Sequence, residues 1–267
     1  MTAPPTIARL HSEGRIWALG ALLGDDAALE ALTRALLPRW RPGDRLVVLG
    51  NMLGPNGDPA RTLDGLLLLR RRLMAANLGC SVVFLRGAQE EMWQKALSLQ
   101  FALTPLDVLD WMLGRGLTAT IGAYGASVAE GRIACRNGPL EIARWTRSLR
   151  ERQAAHAGHP ELLNSLNRAM LGANGAMVLS AAGVDANRPL DEQADAFWWN
   201  GQSDAALDAA LACAAAADWR SVARLVRGTG PATRGGSDDS RVLTVTRDRP
   251  AVVALDPAGA MLERIEP

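Results

Sequence analysis

The sequence predicts an α/β fold, and three observations predict it. Short apolar runs at residues 16–19, 46–49 and 82–85 each end at or beside a glycine, as buried strands do. Two segments with apolar residues at helical spacing lie between them. The chain then closes on three further strand-like runs, at 242–246, 251–255 and 261–265. Strand–helix–strand–helix–strand at the start implies parallel strands joined by right-handed crossovers.

Each element has its own justification. In the first helix, over 25–37, Leu29, Leu32 and Leu36 repeat at helical spacing, Asp25 is the N-cap and Asp26 a first-turn carboxylate. Pro38 and the turn Arg41-Pro42-Gly43-Asp44 end it. The second helix, over 62–76, is leucine-rich, and Arg70, Arg71 and Arg72 near its end suit a solvated face at the negative pole of the helix dipole. Residues 91–172 read as a helical insertion carrying Trp93, Trp111 and Trp145, with a loop or short hairpin across 122–138. A strand follows at 176–179, a helix at 205–217, a strand at 222–226 and a flexible loop at 233–240. Turns at Asp248-Arg249-Pro250 and Asp256-Pro257-Ala258-Gly259 separate the last strands. Residues 1–13 read as an N-terminal tail and 14–267 as one domain, with no internal repeat.

Composition narrows the function classes. With 48% hydrophobic and 21% charged residues, the 267-residue chain is neither disordered nor fibrous. Twenty-nine basic residues, of which Lys95 is the one lysine, balance 28 acidic ones. A net charge of +1 gives no field to steer a nucleic acid, and none is expected as a partner. Cys80, Cys135 and Cys213 are odd in number and widely spaced, so they imply no disulfide framework or zinc ribbon. They read as small core residues in a reducing compartment. The apolar stretch at 16–23 is too short to span a bilayer and is broken by Gly20, so no membrane association and a cytoplasmic location are expected.

In open α/β sheets, ligands bind at the carboxyl ends of the strands. Those ends here are Gly20-Ala21-Leu22-Leu23-Gly24, Gly50-Asn51-Met52-Leu53-Gly54-Pro55-Asn56-Gly57 and Gly87-Ala88-Gln89-Glu90. The first loop has no polar side chain, the second has two asparagines, and Glu90 is the one ionisable group, placed to open the next helix. Nucleotide and nucleophile motifs fail as well. Gly20-Ala21-Leu22 breaks GxGxxG, the glycines at 228–236 lack Gly-Lys-Ser/Thr, and there is no GxSxG.

The order and spacing of these blocks resemble the calcineurin-like metallophosphoesterases, in particular their bacterial serine/threonine protein phosphatase and diadenosine-tetraphosphatase branch. That family reads G-D-x-H-G, G-D-x-x-D-R-G-P and G-N-H-E after its first three strands, then V-H-A-G-V-D and H-G-H-T-P. The later blocks here are Ser180-Ala181-Ala182-Gly183-Val184-Asp185 and Arg227-Gly228-Thr229-Gly230-Pro231. Flanking residues match as well: Pro42-Gly43-Asp44-Arg45, Val82-Val83-Phe84-Leu85-Arg86 and Arg188-Pro189-Leu190-Asp191. The resemblance covers roughly residues 14–265 and implies a sandwich of two mixed β-sheets flanked by helices, with the helical insertion added.

The resemblance also places the family's metal ligands. They fall on Ala21, Leu23, Asn51, Gly54, Ala88, Gln89, Ala181 and Thr229, the first histidine of H-G-H-T-P falls on Arg227, and the phosphate-holding arginine falls on Pro55. A two-metal hydrolase needs carboxylates and imidazoles there. Once the metals are lost, leftover buried carboxylates would be costly, and neutral residues remove that cost. The three histidines, His11, His156 and His159, lie on no family motif. Ala155-His156-Ala157-Gly158 copies the letters H-A-G but follows a polar, helical stretch; His156 and His159 read as a surface pair, with a metal half-site as the minor alternative.

Three functions follow as expectations. The leading one is a pseudoenzyme, a pseudophosphatase that holds no metal or other cofactor and binds a protein partner or a second copy of itself. The second is a metal-free sensor gripping a phosphate-containing small molecule or nucleotide through Arg86, Asn51, Gln89, Arg227 and Thr229. The third is a residual phosphoric-ester hydrolase using other ligands. A cleft lined by Arg86 and Arg227 favours the sensor, and one plugged by Leu23, Met52 and Leu53 the scaffold. Trp198 and Trp199 read as core residues, with a partner hot spot as the alternative.

Overall fold

The computed structural model describes residues 6–10, 14–76, 79–173, 175–214, 216–230 and 240–267. Its strands are β1 (Ile7–Arg9), β2 (Ile16–Leu19), β3 (Arg45–Val48), β4 (Ser81–Phe84), β5 (Ala169–Leu171), β6 (Met177–Ser180), β7 (Arg224–Thr229), β8 (Val242–Thr246), β9 (Val252–Leu255) and β10 (Met261–Ile265). The helices are α1 (Asp26–Leu36), α2 (Pro59–Ala76), α3 (Ala88–Leu97), α4 (Pro105–Met112), α5 (Thr118–Ala123), α6 (Val128–Asn137), α7 (Pro139–Ala154), α8 (His159–Asn164), α9 (Ala196–Trp199) and α10 (Asp204–Ala212).

The strands form two five-stranded mixed sheets, in the orders β10-β9-β2-β3-β4 and β1-β5-β6-β7-β8. In the first, β2, β3 and β4 are parallel, with Leu19 opposite Val48 and Val48 opposite Phe84. In the second, β6, β7 and β8 are parallel, while β5 runs antiparallel to β6.

The twofold side-chain period of a strand sorts these residues into layers. Ile16, Ala18, Val47 and Leu49 meet Leu179, Val226 and Leu243 between the sheets. Trp17, Leu19, Leu46 and Val48 turn the other way and pack under the helices. Val178 and Leu225 face out of the second sheet onto Phe197, Trp198, Leu207 and Trp219. Strands covered on both faces must be apolar throughout, which is why they read as unbroken runs.

Several expectations change. Residues 122–138 hold a helix, α6, where a loop or hairpin is expected; Ser127 caps it by accepting from the amide of Glu130. Gly131 looks like a breaker but sits mid-helix because Trp145 lies against it, with a Cβ there only 2.6 Å from the ring. Part of the expected N-terminal tail, Ile7–Arg9, is an edge strand paired in parallel with β5. The strand expected at 222–226 runs from Arg224 to Thr229, and the helix expected at 205–217 spans Asp204–Ala212. Cys213 is exposed rather than a core residue. The loop expected at 233–240 lies, apart from Ser240, outside the described residues. Asp25 caps α1 as expected, accepting from the amide of Ala28. No described helix is long and apolar enough to cross a membrane.

Candidate functional site

The loops after β2, β3 and β4 meet at one edge of the sandwich, joined through their backbones. The amides of Leu22 and Leu23 both donate to the carbonyl of Asn51, at 3.1 and 2.8 Å. The loops after β3 and β4 touch more closely still: a Cβ on Gly87 would stand 2.2 Å from the Asn51 nitrogen. Leu23 and Asn51 both have positive φ, 53° and 50°. Asparagine tolerates that region, whereas for leucine it is strained and is held by the surrounding hydrogen bonds.

Glu90 is the centre of this knot. It is fully buried in the first turn of α3. Its Oε2 accepts from the amides of Gly87 and Asn51, each at 2.8 Å, and its Oε1 from those of Met52 and Leu53 at 2.8 and 2.9 Å. Burial pushes its pKa up, bonds from backbone amides including those of Leu53, Gly87 and Asn51 pull it back, and the net direction is upward.

Of the sequence-predicted site residues, Asn51 and Gln89 are bonded to each other, while Arg86, Arg227 and Thr229 are each held by other partners. Asn51 Oδ1 accepts from the amide of Gln89, and Gln89 Nε2 donates to the carbonyl of Arg115. Arg86 pairs with Glu91 at 2.9 Å and lies against the Trp198 ring. Thr229 gives its amide to the carbonyl of Ala181 and pairs with Thr246 across the sheet. Arg227 is a structural residue: it is wholly buried, and its guanidinium donates to Asp204, Thr244 and the carbonyls of Ala182 and Gln202. Those bonds engage all three guanidinium nitrogens. Met52 and Leu53 are fully buried and Leu23 is half-buried, the plugged arrangement. Trp198 is a core residue, while Trp199 is half-buried against Trp111.

Three solved structures share this architecture over 98% of the chain. One is described as a candidate diadenosine tetraphosphatase, at 16% identity and a TM-score of 0.50 over 98% of its own length. Another is a cold-active protein tyrosine phosphatase, at 13% identity and 0.52 over 81% of its length. A third is a protein serine/threonine phosphatase from Saccharomyces cerevisiae, at 13% identity and 0.53 over 84%. The chain has the calcineurin-like metallophosphoesterase fold. No protein-family model matches the sequence, and no curated protein matches it.

The metallophosphoesterase fold implies a two-metal centre at this loop edge, and the residues here do not fit one. Alanine, leucine, glycine, asparagine, glutamine and threonine stand where the resemblance places the ligands. The buried carboxylate at this edge, Glu90, spends its lone pairs on backbone amides.

A second cluster joins Asp64 of α2 to His156 and His159. His159 is fully buried, which corrects the expected surface pair, although His156 is half-buried. Nε2 of His159 meets Oδ1 of Asp64 at 3.1 Å, and its Nδ1 meets the hydroxyl of Tyr124 at 2.9 Å. The two imidazoles stack with centroids 5.0 Å apart, and Tyr124 stands edge-on to both. Burial holds the His159 pKa below its ordinary value against the pull of Asp64, and raises that of Tyr124, whose proton Asp64 and Asp58 also help retain. Asp64 is 95 residues from His159, so spacing could not have found it. The available signal was the pair His156 and His159, three residues apart.

Proposed function

We propose that this chain is a metallophosphoesterase-fold protein that works by binding another protein and not by hydrolysing phosphate esters. The observation that carries this reading is the loop edge itself. No carboxylate or imidazole stands at any position where the resemblance places a metal ligand, and the buried carboxylate beside them, Glu90, is spent on the backbone of two loops. The sensor reading is weaker, because Arg227 is consumed by Asp204, Thr244 and two backbone carbonyls, although Arg86, paired with Glu91, keeps a buried Nε without a hydrogen-bond partner.

A surface for the partner is supported by the helical insertion, where Phe101 and Leu103 are 82% and 102% exposed and Ile133 and Leu140 are more than half exposed. Exposed apolar side chains that gather into one patch mark an interaction surface. The partner is another protein or a second copy of this chain.

Two measurements test the reading. Full-length protein given manganese and a panel of phosphomonoesters and dinucleoside polyphosphates should show no turnover above buffer. In the host lysate, Phe101→Asp with Leu103→Asp should shift the protein from a complex to monomer size without lowering its melting temperature. Turnover that scales with protein, or a monomeric wild type, would refute it.

A further inference from the structure

We propose that Asp64, His156 and His159 form a binding site for a single divalent zinc-class cation, apart from the loop edge. The three side chains come from different parts of the chain. Asp64 lies in the second turn of α2, His156 in the turn after α7, and His159 at the start of α8. Each offers one ligand atom, and all three atoms lie within 4.8 Å of one another.

The geometry is that of a tetrahedral edge. Zinc–nitrogen and zinc–oxygen bonds of about 2.0–2.1 Å put neighbouring ligands roughly 3.3 Å apart. His159 Nε2 and Asp64 Oδ1 are already 3.1 Å apart. His156, half-buried in a turn, holds a ring nitrogen within 4.8 Å of the other two ligand atoms and supplies the third corner. Two imidazoles and one carboxylate are a borderline-soft donor set that suits zinc over magnesium or calcium. With three protein ligands, the fourth position goes to water.

The surroundings suit a ligand set as well. A metal-bound imidazole needs its second nitrogen held, and the Tyr124 hydroxyl already holds Nδ1 of His159. Tyr124 is in turn fixed by stacking on Trp93. The Asp64 side chain is 58% exposed, so an ion can enter from solvent while His159 forms the buried floor. The nearby Asp58 adds negative charge. The site does not depend on the proposed loss of phosphoesterase activity, and its test reads zinc directly.

The experiment is equilibrium dialysis of zinc chloride against chelator-stripped full-length protein, repeated after alkylation of the thiols so that cysteine cannot supply the ligands. One zinc per chain is expected in both states. Asp64→Asn and His156→Ala, which change accessible side chains, should each weaken binding at least tenfold. Tyr124→Phe, at a positioning residue, should weaken it by a smaller factor with the stoichiometry kept. Cobalt should give the intense visible bands of a tetrahedral site in the wild type and lose them in His156→Ala. Less than one zinc per chain, unchanged affinity in both ligand variants, or a weak octahedral cobalt spectrum in the wild type would each reduce the site to a hydrogen-bonded cluster and overturn the proposal.

Discussion

The Glu90 carboxylate accepts the backbone amide of Met52 at 2.8 Å across 38 residues of sequence. With the bonds to Asn51, Leu53 and Gly87, it ties the start of α3 to the loop after β3. A group that in isolation looks like a first-turn helix residue is thus the fastener of the whole loop edge.

Glu90→Gln tests that role. An amide keeps one acceptor oxygen but turns an NH2 group toward backbone donors, leaving buried amides unpaired. The expected loss is about 3 kcal/mol of unfolding free energy by chemical denaturation. A loss below about 1 kcal/mol would mean the loops hold without the carboxylate.

The same pair of proteins has a signed pH dependence. Because the folded pKa of Glu90 lies above its ordinary 4.5, the stability it contributes is complete below that value and declines as pH rises through the folded pKa. The wild type's advantage over Glu90→Gln should therefore be largest near pH 4 and shrink toward neutrality. An advantage that grew with pH would mean the four amide bonds outweigh burial.

Asn51→Asp returns a carboxylate to the position where the family carries a bridging aspartate. Asn51 is buried, and its own amide donates to Glu90, so the new charge would face an existing one in a dry site. A loss of about 2–4 kcal/mol at pH 7 is expected, with no recovery on adding manganese. Recovery of the melting temperature with manganese would show that a metal centre can still assemble.

Arg227→Met leaves Asp204 buried beside Thr244 with no cation. Removing one partner of a buried pair costs about 3–5 kcal/mol, whereas replacing both with apolar residues recovers much of it. Arg227→Met with Asp204→Leu should thus be more stable than Arg227→Met alone. Phosphate should shift the melting temperature of wild type and variants equally. A phosphate effect confined to the wild type would reinstate Arg227 as an anion ligand.

Much of the fold was legible because its strands are covered on both faces, so runs such as Ile16–Leu19 are wholly apolar and stop at glycine. Where that logic fails, the sequence is silent. Ile7–Arg9 is a three-residue edge strand with an exposed arginine, too short to show alternation. In α6, Gly131 reads as a break because the reason for it, the Trp145 ring, lies elsewhere in the sequence. At the loop edge, residue types alone showed that no carboxylate or imidazole falls where the resemblance places a ligand. The role of Arg227 was not legible, since Asp204 and Thr244 lie 23 and 17 residues away and only the packing of α10 on the second sheet brings them together. Glu90 was placed correctly at a helix start, but its reach to Asn51, Met52 and Leu53 belongs to the packing of two loops.

The amide protons of Gly87, Asn51, Met52 and Leu53 all end on one side chain. None can meet solvent without disturbing the acceptor it shares with the other three. In deuterated water these four positions should therefore exchange at a common rate, set by one opening event rather than by four local fluctuations. The free energy of that opening measures how firmly the edge is shut, and it can be read on the unmodified protein residue by residue.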